Sequence, residues 1–171
     1  MKSSFLRCVS YTTVAILTVA FALTPTATAQ SVATAGPSLQ GTWRVQVTLY
    51  KCSDPQVTIP PFWSLVSFHQ GGTETETTSN PGLQPGQRTA GEGFWKPKGA
   101  NTYFSTSEAF ILFDSSTVKK GVQKILQSIN LKDQNHFSSK ATVKFFNADG
   151  TIATGCAKAE AVRLTGSADK P

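Results

Sequence analysis

Hydrophobic and polar residues alternate along most of the chain after residue 41. The clearest run covers residues 42–52, where the apolar positions are Trp43, Val45, Val47 and Leu49. The polar positions between them are Thr42, Arg44, Gln46 and Thr48. A period of two places the two sets on opposite faces of a half-buried strand. The pattern therefore predicts an all-β protein, and we find no convincing helical period.

Eight strands are predicted, at residues 42–52, 62–70, 73–78, 91–96, 102–114, 122–132, 136–146 and 151–164. Gly71-Gly72 and the turn at 147–150 suit tight hairpins. We expect loops at 52–61, which holds three prolines, and at 80–90. Consecutive strands with short connections predict an up-and-down meander, and closing it removes two exposed edges. The predicted fold is an eight-stranded antiparallel up-and-down barrel.

The residue numbers at the two ends of the barrel allow a test of closure. Paired residues of antiparallel strands have a nearly constant index sum, which is 208 for Cys52 with Cys156 and 206 for Trp43 with Arg163. One register therefore joins the first and last strands, with Trp43 and Arg163 on one face and both cysteines on the other. We expect a Cys52–Cys156 disulfide, with two buried free thiols as the alternative.

Gly41-Thr42-Trp43 at the start of the first strand and Arg163 near the end of the last resemble the signature of lipocalins and the wider calycin barrels. The resemblance implies that Trp43 closes the barrel floor and that Arg163 packs across its ring, as a planar cation does on an aromatic face. The chain also resembles small exported bacterial proteins of unassigned role. A short helix after the last strands, usual in lipocalins, has no evident counterpart.

The first 29 residues are typical of a signal peptide. A basic start with Lys2 and Arg7 precedes an apolar run at 14–23, and Ala27-Thr28-Ala29 fits the cleavage pattern. An uncleaved anchor is the alternative. We expect a periplasmic or extracellular protein with a flexible tether at 30–40, one barrel domain at 41–166 and a tail at 167–171.

The distribution of charged residues argues against a nucleic-acid partner. The 171 residues include 16 basic and 10 acidic side chains, and loss of Lys2 and Arg7 leaves 14 basic ones. These positions are scattered along the sequence, without a basic cluster flanked by aromatic residues. We therefore predict no nucleic-acid partner and no membrane span after cleavage, while the oligomeric state stays open.

No catalytic constellation is recognisable. The two histidines, His69 and His136, lie near strand ends and are expected at the exposed rim, although either could be the axial ligand of a haem. His69 with Glu74 and Glu76 could form a metal site, but a solvated polar face is the expected role of the two glutamates. We predict no metal, no cofactor and no catalytic residue.

The candidate ligand-binding residues of the lumen are Glu108, Gln127, Phe104 and Phe110. Glu108 shares its strand face with both phenylalanines, and the opposite face of that strand is apolar too, so either could point inward. The favoured function is a secreted lipocalin-like protein that binds a small apolar or amphipathic molecule in its lumen. The alternatives are a barrel enzyme of the allene-oxide-cyclase or dirigent kind and a structural barrel with a filled core.

Overall fold

The protein is all-β in a computed structural model that describes residues 38–112 and 119–166. That part of the chain contains nine strands and no helix. The strands are β1 (Gly41–Lys51), β2 (Asp54–Thr58), β3 (Phe62–Phe68), β4 (Thr73–Thr78), β5 (Gly91–Pro97), β6 (Thr102–Leu112), β7 (Lys119–Leu131), β8 (His136–Asn147) and β9 (Ile152–Arg163). The predicted leader, most of the predicted tether and the predicted tail lie outside the described residues.

β1 pairs with β3 on one side and with β9 on the other, and this double pairing closes the sheet. Each remaining strand from β3 to β9 pairs antiparallel with its neighbour in the sequence. Eight of the described strands thus form a closed up-and-down barrel, which confirms the predicted fold. β2 lies outside this ring and pairs with the end of β1 alone.

The seam between β1 and β9 has the predicted register. It runs without interruption from Trp43 opposite Arg163 to Tyr50 opposite Cys156. Cys52 and Cys156 form a disulfide, with their Cα atoms 5.1 Å apart. The bond joins residues 104 apart in the sequence, and crosslinks that close long loops restrict the unfolded chain most. The predicted disulfide is confirmed.

Trp43 closes one end of the barrel, which we call the floor. Its side chain is completely buried, its Nε1 donates to the Leu39 carbonyl oxygen at 2.9 Å, and its ring lies edge-on to Phe137 at 4.8 Å between centroids. The Arg163 guanidinium carbon lies 4.1 Å from the centre of the indole ring. The stacking that the resemblance implied for this pair is confirmed.

Arg163 also ties the chain before β1 to the floor. Its guanidinium donates to the carbonyl oxygens of Ser38, Gln40 and Gln134. Gly41 has a φ of 123°, and a Cβ there would stand 2.5 Å from the arginine Nη1 atom, so this position needs glycine. The described residues 38–40, the last of the predicted tether, therefore belong to the packed barrel.

Two element boundaries differ from the sequence prediction. The expected loop at 52–61 contains β2, and Pro55 is accommodated because β2 is an edge strand with a single partner. The turn expected at 115–121 ends earlier than predicted, because β7 already begins at Lys119. Lys119 pairs with Leu112, and a β-bulge separates this pair from the regular register of β6 and β7. Residues 113–118 lie outside the described part of the chain.

We expect Trp43→Ala to lower the free energy of unfolding by about 3–5 kcal/mol, since it removes a fully buried aromatic side chain. Trp63→Ala is the matched control. Trp63 is 50% exposed on the outer face of β3, and its loss should cost less than about 1 kcal/mol. Urea denaturation of the three proteins measures both values. Equal losses in the two variants would show that Trp43 does not close the floor.

Candidate functional site

Closure decides which residues face the barrel interior. Paired residues share a face, so the buried Trp43 fixes the inner positions of the whole ring through successive registers. Odd-numbered residues face inward on β1 and on β5 to β9, and even-numbered residues face inward on β3 and β4. Burial follows the same alternation on β3, β4 and β6.

The floor half of the interior is filled with side chains. Its buried members form one apolar cluster. They include Leu39, Trp43, Phe68, Tyr103, Ile129, Leu131 and Phe137. Phe68 and Trp95 meet edge-on, and so do Trp95 and Tyr103. This half is therefore the packed apolar core of the protein.

Two glutamates of β4 face into the barrel. Glu74 is 3% exposed and Glu76 is 8% exposed, although both belong to the polar run at 73–78. The expected solvated face was wrong for these two residues, because strand pairing turns them toward the interior. Their neighbours across the ladder are Gly93 and Gly91 of β5.

The two glycines of β5 lie in close contact with their neighbours. A Cβ on Gly91 would stand 2.9 Å from Glu76 Oε2, and a Cβ on Gly93 would overlap the Thr106 carbonyl oxygen. Gly91 thus leaves room for the Glu76 carboxyl group, whereas Gly93 allows the backbone of β6 to approach β5 closely. Glu74 and Glu76, together with Arg88, Ser105 and Ser107, form a polar layer inside the barrel.

Arg88 neutralises one of these glutamates. It lies in the loop between β4 and β5, and its guanidinium contacts Glu76 Oε2 at 2.5 Å. Its Nε donates to Gln123 Oε1 on β7 at 2.6 Å. Both charged side chains are at least nine-tenths buried. The ion pair therefore fixes the loop against the inside of the barrel, since breaking it would leave a buried charge without a partner.

Glu74 has no such counter-ion. Its pKa is raised from 4.5 to about 7, chiefly because burial removes water from the carboxylate, and the nearby Glu76 adds to the rise. Hydrogen bonds with Ser105 and Ser107 act in the opposite direction. Within the described residues, its Oε2 atom has no hydrogen-bond partner. Glu74 is thus an acid that can change its charge near neutral pH inside the barrel.

Gln127 points inward and joins the polar layer to β8. Its Oε1 accepts from Ser105 Oγ at 3.3 Å, and its Nε2 donates to Ser139 Oγ at 2.7 Å. Of the four candidate lumen residues, Gln127 alone lies on the inner face. It contacts protein groups on both neighbouring strands, so in this arrangement its side chain holds β6, β7 and β8 together.

The other three candidates lie on the outer face of β6, and their lumen placement is corrected. Glu108 forms an ion pair with Lys124 at 2.8 Å, and Phe110 is 52% exposed. Phe104 is half-buried against Phe94, another outward residue. Both faces of β6 carry large apolar residues, so periodicity alone did not decide the direction. The pairing of β6 with β5 and β7 puts the odd-numbered face inside.

The two histidines lie at exposed strand ends. His69 Nε2 is 3.4 Å from Thr75 Oγ1, and His136 Nδ1 is 2.9 Å from Asp133 Oδ1. The pKa of Asp133 is lowered by the Asn135 backbone N–H and by His136. Across the described ranges, no group of three His, Cys, Asp or Glu side chains is placed to hold a metal ion.

The end of the barrel opposite the floor, which we call the mouth, has a cavity of about 390 Å³. Inward residues of β1, β6, β7, β8 and β9 form its wall, and the loop after β4 contributes Asn80, Gly82 and Leu83. Its larger apolar lining residues are Leu49, Ile59, Leu83, Ile111, Val122, Phe145 and Phe146. This volume lies within the range of small-molecule sites. The cavity is not apparent from sequence patterning, because a loop and five separate strands build it.

Comparison with known proteins adds no family assignment: no protein-family model matches the chain, and no curated protein matches it. The closed eight-stranded barrel is consistent with a calycin-like fold. A helix long and apolar enough to cross a membrane is absent from residues 38–112 and 119–166.

The raised pKa of Glu74 predicts a pH dependence of stability. Between pH 4.5 and about 7 the folded protein holds a proton that the unfolded chain has released. The free energy of unfolding should therefore fall as pH rises across this window, by on the order of 3 kcal/mol from this group, and then level off. Urea denaturation at intervals between pH 4.5 and 8.5 measures the slope.

Glu74→Gln should remove this slope, because the amide does not titrate. Glu92→Gln is the control, since Glu92 lies on the exposed face of β5 and its loss should leave the slope in place. A Glu74→Gln protein whose stability fell with pH as steeply as that of the unaltered protein would contradict the assignment.

Proposed function

We propose that this protein binds one small apolar or amphipathic molecule at the mouth of its barrel. The observation that carries the proposal is the cavity of about 390 Å³ with its mainly apolar lining. Ligand sites of β-barrels lie at such mouths, where a rigid wall surrounds a concave apolar surface. The lipocalin-like character of the two terminal strands supports the same function, as an analogy at the level of the fold.

Polar groups at the edge of the cavity favour an amphipathic ligand. Asn80, Lys120 and Asn147 contribute to its lining beside the apolar residues. A molecule with an apolar body and one polar end could bury the body against Phe145 and Leu49 and direct the polar end toward these side chains. Burial of the apolar part supplies most of the affinity, and the polar groups determine the orientation.

The geometry favours binding over catalysis. The buried acids Glu74 and Glu76 are the strongest candidates for proton transfer in the described part of the chain, but neither lines the mouth cavity. A barrel enzyme would need such groups within hydrogen-bond reach of its substrate. The packed floor half of the interior would also suit a structural barrel with a filled core. The cavity at the mouth is the feature that favours a binding protein over a purely structural one.

Export to the periplasm or beyond the cell is part of the proposal. The Cys52–Cys156 disulfide supports it, since such bonds persist in oxidising compartments. Removal of the first 29 residues as a signal peptide remains a prediction of the sequence pattern. An exported carrier would meet its ligand outside the cytoplasm.

Ala153→Trp tests the mouth cavity, because Ala153 lines it and a larger side chain there would fill it. We expect the unaltered protein to bind the apolar fluorophore N-phenyl-1-naphthylamine, and we expect Ala153→Trp to weaken that binding by about tenfold or more. Fluorescence titration measures both dissociation constants. Small apolar and amphipathic competitors, compared by displacement, would then define the preferred ligand class.

Thr154→Trp is the matched control, because the adjacent residue points to the outside of β9. It should bind the fluorophore as the unaltered protein does. Thermal melts of both variants establish that each is folded. Absence of fluorophore binding by the unaltered protein, or equal weakening by the two tryptophans, would argue against a ligand site at the mouth.

A further inference from the structure

Four lysines that are scattered in the sequence come together on the outer face of β7, β8 and β9. We call Lys124, Lys140, Lys144 and Lys158 the lysine patch. The strand register places Lys124 directly opposite Lys144, and Lys140 directly opposite Lys158. The sequence shows no basic cluster, because these residues are neighbours only through strand pairing.

Charges of the same sign on paired residues oppose folding. Directly opposite residues of antiparallel strands have Cβ atoms roughly 5 Å apart, and like charges there are destabilising. Lys124 is compensated by Glu108 at 2.8 Å. No carboxylate in the described ranges forms an ion pair with Lys140, Lys144 or Lys158. Two such pairs on adjoining strands therefore concentrate positive charge on one wall of the barrel.

A groove of about 580 Å³ adjoins two of the lysines. Lys140 and Lys158 line it, together with hydroxyl and amide side chains that include Gln46, Thr48 and Ser128. Glu160 also lines the groove, and it forms an ion pair with Lys132 at 2.7 Å. The wall thus combines positive charge with neutral groups that can donate and accept hydrogen bonds.

We propose that this wall binds an acidic polysaccharide. Lys140 and Lys144 are four residues apart on β8, or about 13 Å at the usual rise of a strand. The two lysine pairs could therefore contact successive acidic groups along an extended chain. The neutral side chains of the groove suit sugar hydroxyls, which need both donors and acceptors. The proposal concerns a surface outside the barrel and does not rest on ligand binding at the mouth.

The surroundings of the patch favour a carbohydrate over a nucleic acid or a lipid bilayer. Binding of single-stranded nucleic acid relies on exposed aromatic stacking, and the nearby Tyr50 and Phe104 are both partly buried. Docking to a bilayer relies on apolar side chains that insert between lipids. The exposed Phe146 and Ile152 lie beyond Lys144, at the mouth, and not between the lysine pairs.

Binding of alginate oligosaccharides of about eight uronate units tests the proposal. Titration calorimetry at low salt should show saturable binding that weakens as salt is added, because salt screens the charges. Lys140→Gln combined with Lys158→Gln should weaken binding by about tenfold or more. The double variant should melt at an equal or higher temperature, since it removes a repulsive pair. Neutral dextran oligosaccharides should not bind.

Lys96→Gln combined with Lys98→Gln is the matched control. It removes the same amount of charge from two exposed lysines at the end of β5, outside the lysine patch. It should bind alginate within about twofold of the unaltered protein. The proposal would be overturned by absence of alginate binding, or by equal weakening in both double variants, which would indicate attraction by net charge. Tighter binding of single-stranded DNA or of phosphatidylglycerol vesicles would also overturn it, by assigning the wall to another class of partner.

Discussion

The pairing of β1 with β9 is the constraint on which the rest of this structure depends. It converts a meander with two open edges into a ring, and it brings together chain ends that are more than a hundred residues apart. The seam is fixed at one end by Arg163 on the Trp43 ring and at the other by the disulfide. Arg163 and Cys156 lie on opposite faces of β9. A register shifted by one residue would turn each side chain to the other face, so neither the Arg163–Trp43 stacking nor the disulfide could form.

Closure also assigns every side chain of the ring to the interior or to the outside. It buries Glu74 and Glu76 beside the two glycines of β5, where one acid is neutralised by Arg88 and the other has a pKa near neutrality. It also aligns lysines of β7, β8 and β9 on the outer wall. The fully buried Trp43 and Phe137 belong to the apolar cluster at the floor of the same barrel.

The sequence predicted the features that depend on a strong local period or on one long-range register. The order of the barrel strands follows from alternation and short turns along the chain, and the seam and the disulfide follow from the index sums of four landmark residues. The stacking of Arg163 on Trp43 follows from the resemblance to calycin barrels. The direction of β6 did not follow, because both of its faces are apolar, and this is why Glu108 was assigned to the interior. The burial of Glu74 follows only from the registers that join β1, β3 and β4, and the mouth cavity only from the path of a loop.

Amide hydrogen exchange along β1 tests closure most directly. Residues 43–47 pair with β3 on one side and β9 on the other, so the closed barrel predicts slow exchange at every one of these amides. In an open sheet β1 would have a single partner along these residues, and alternate amides would point to solvent. Uniform protection by NMR-detected exchange would support the barrel. Rapid exchange at every second amide would contradict closure, and the assignment of an interior and an outer wall would be lost with it.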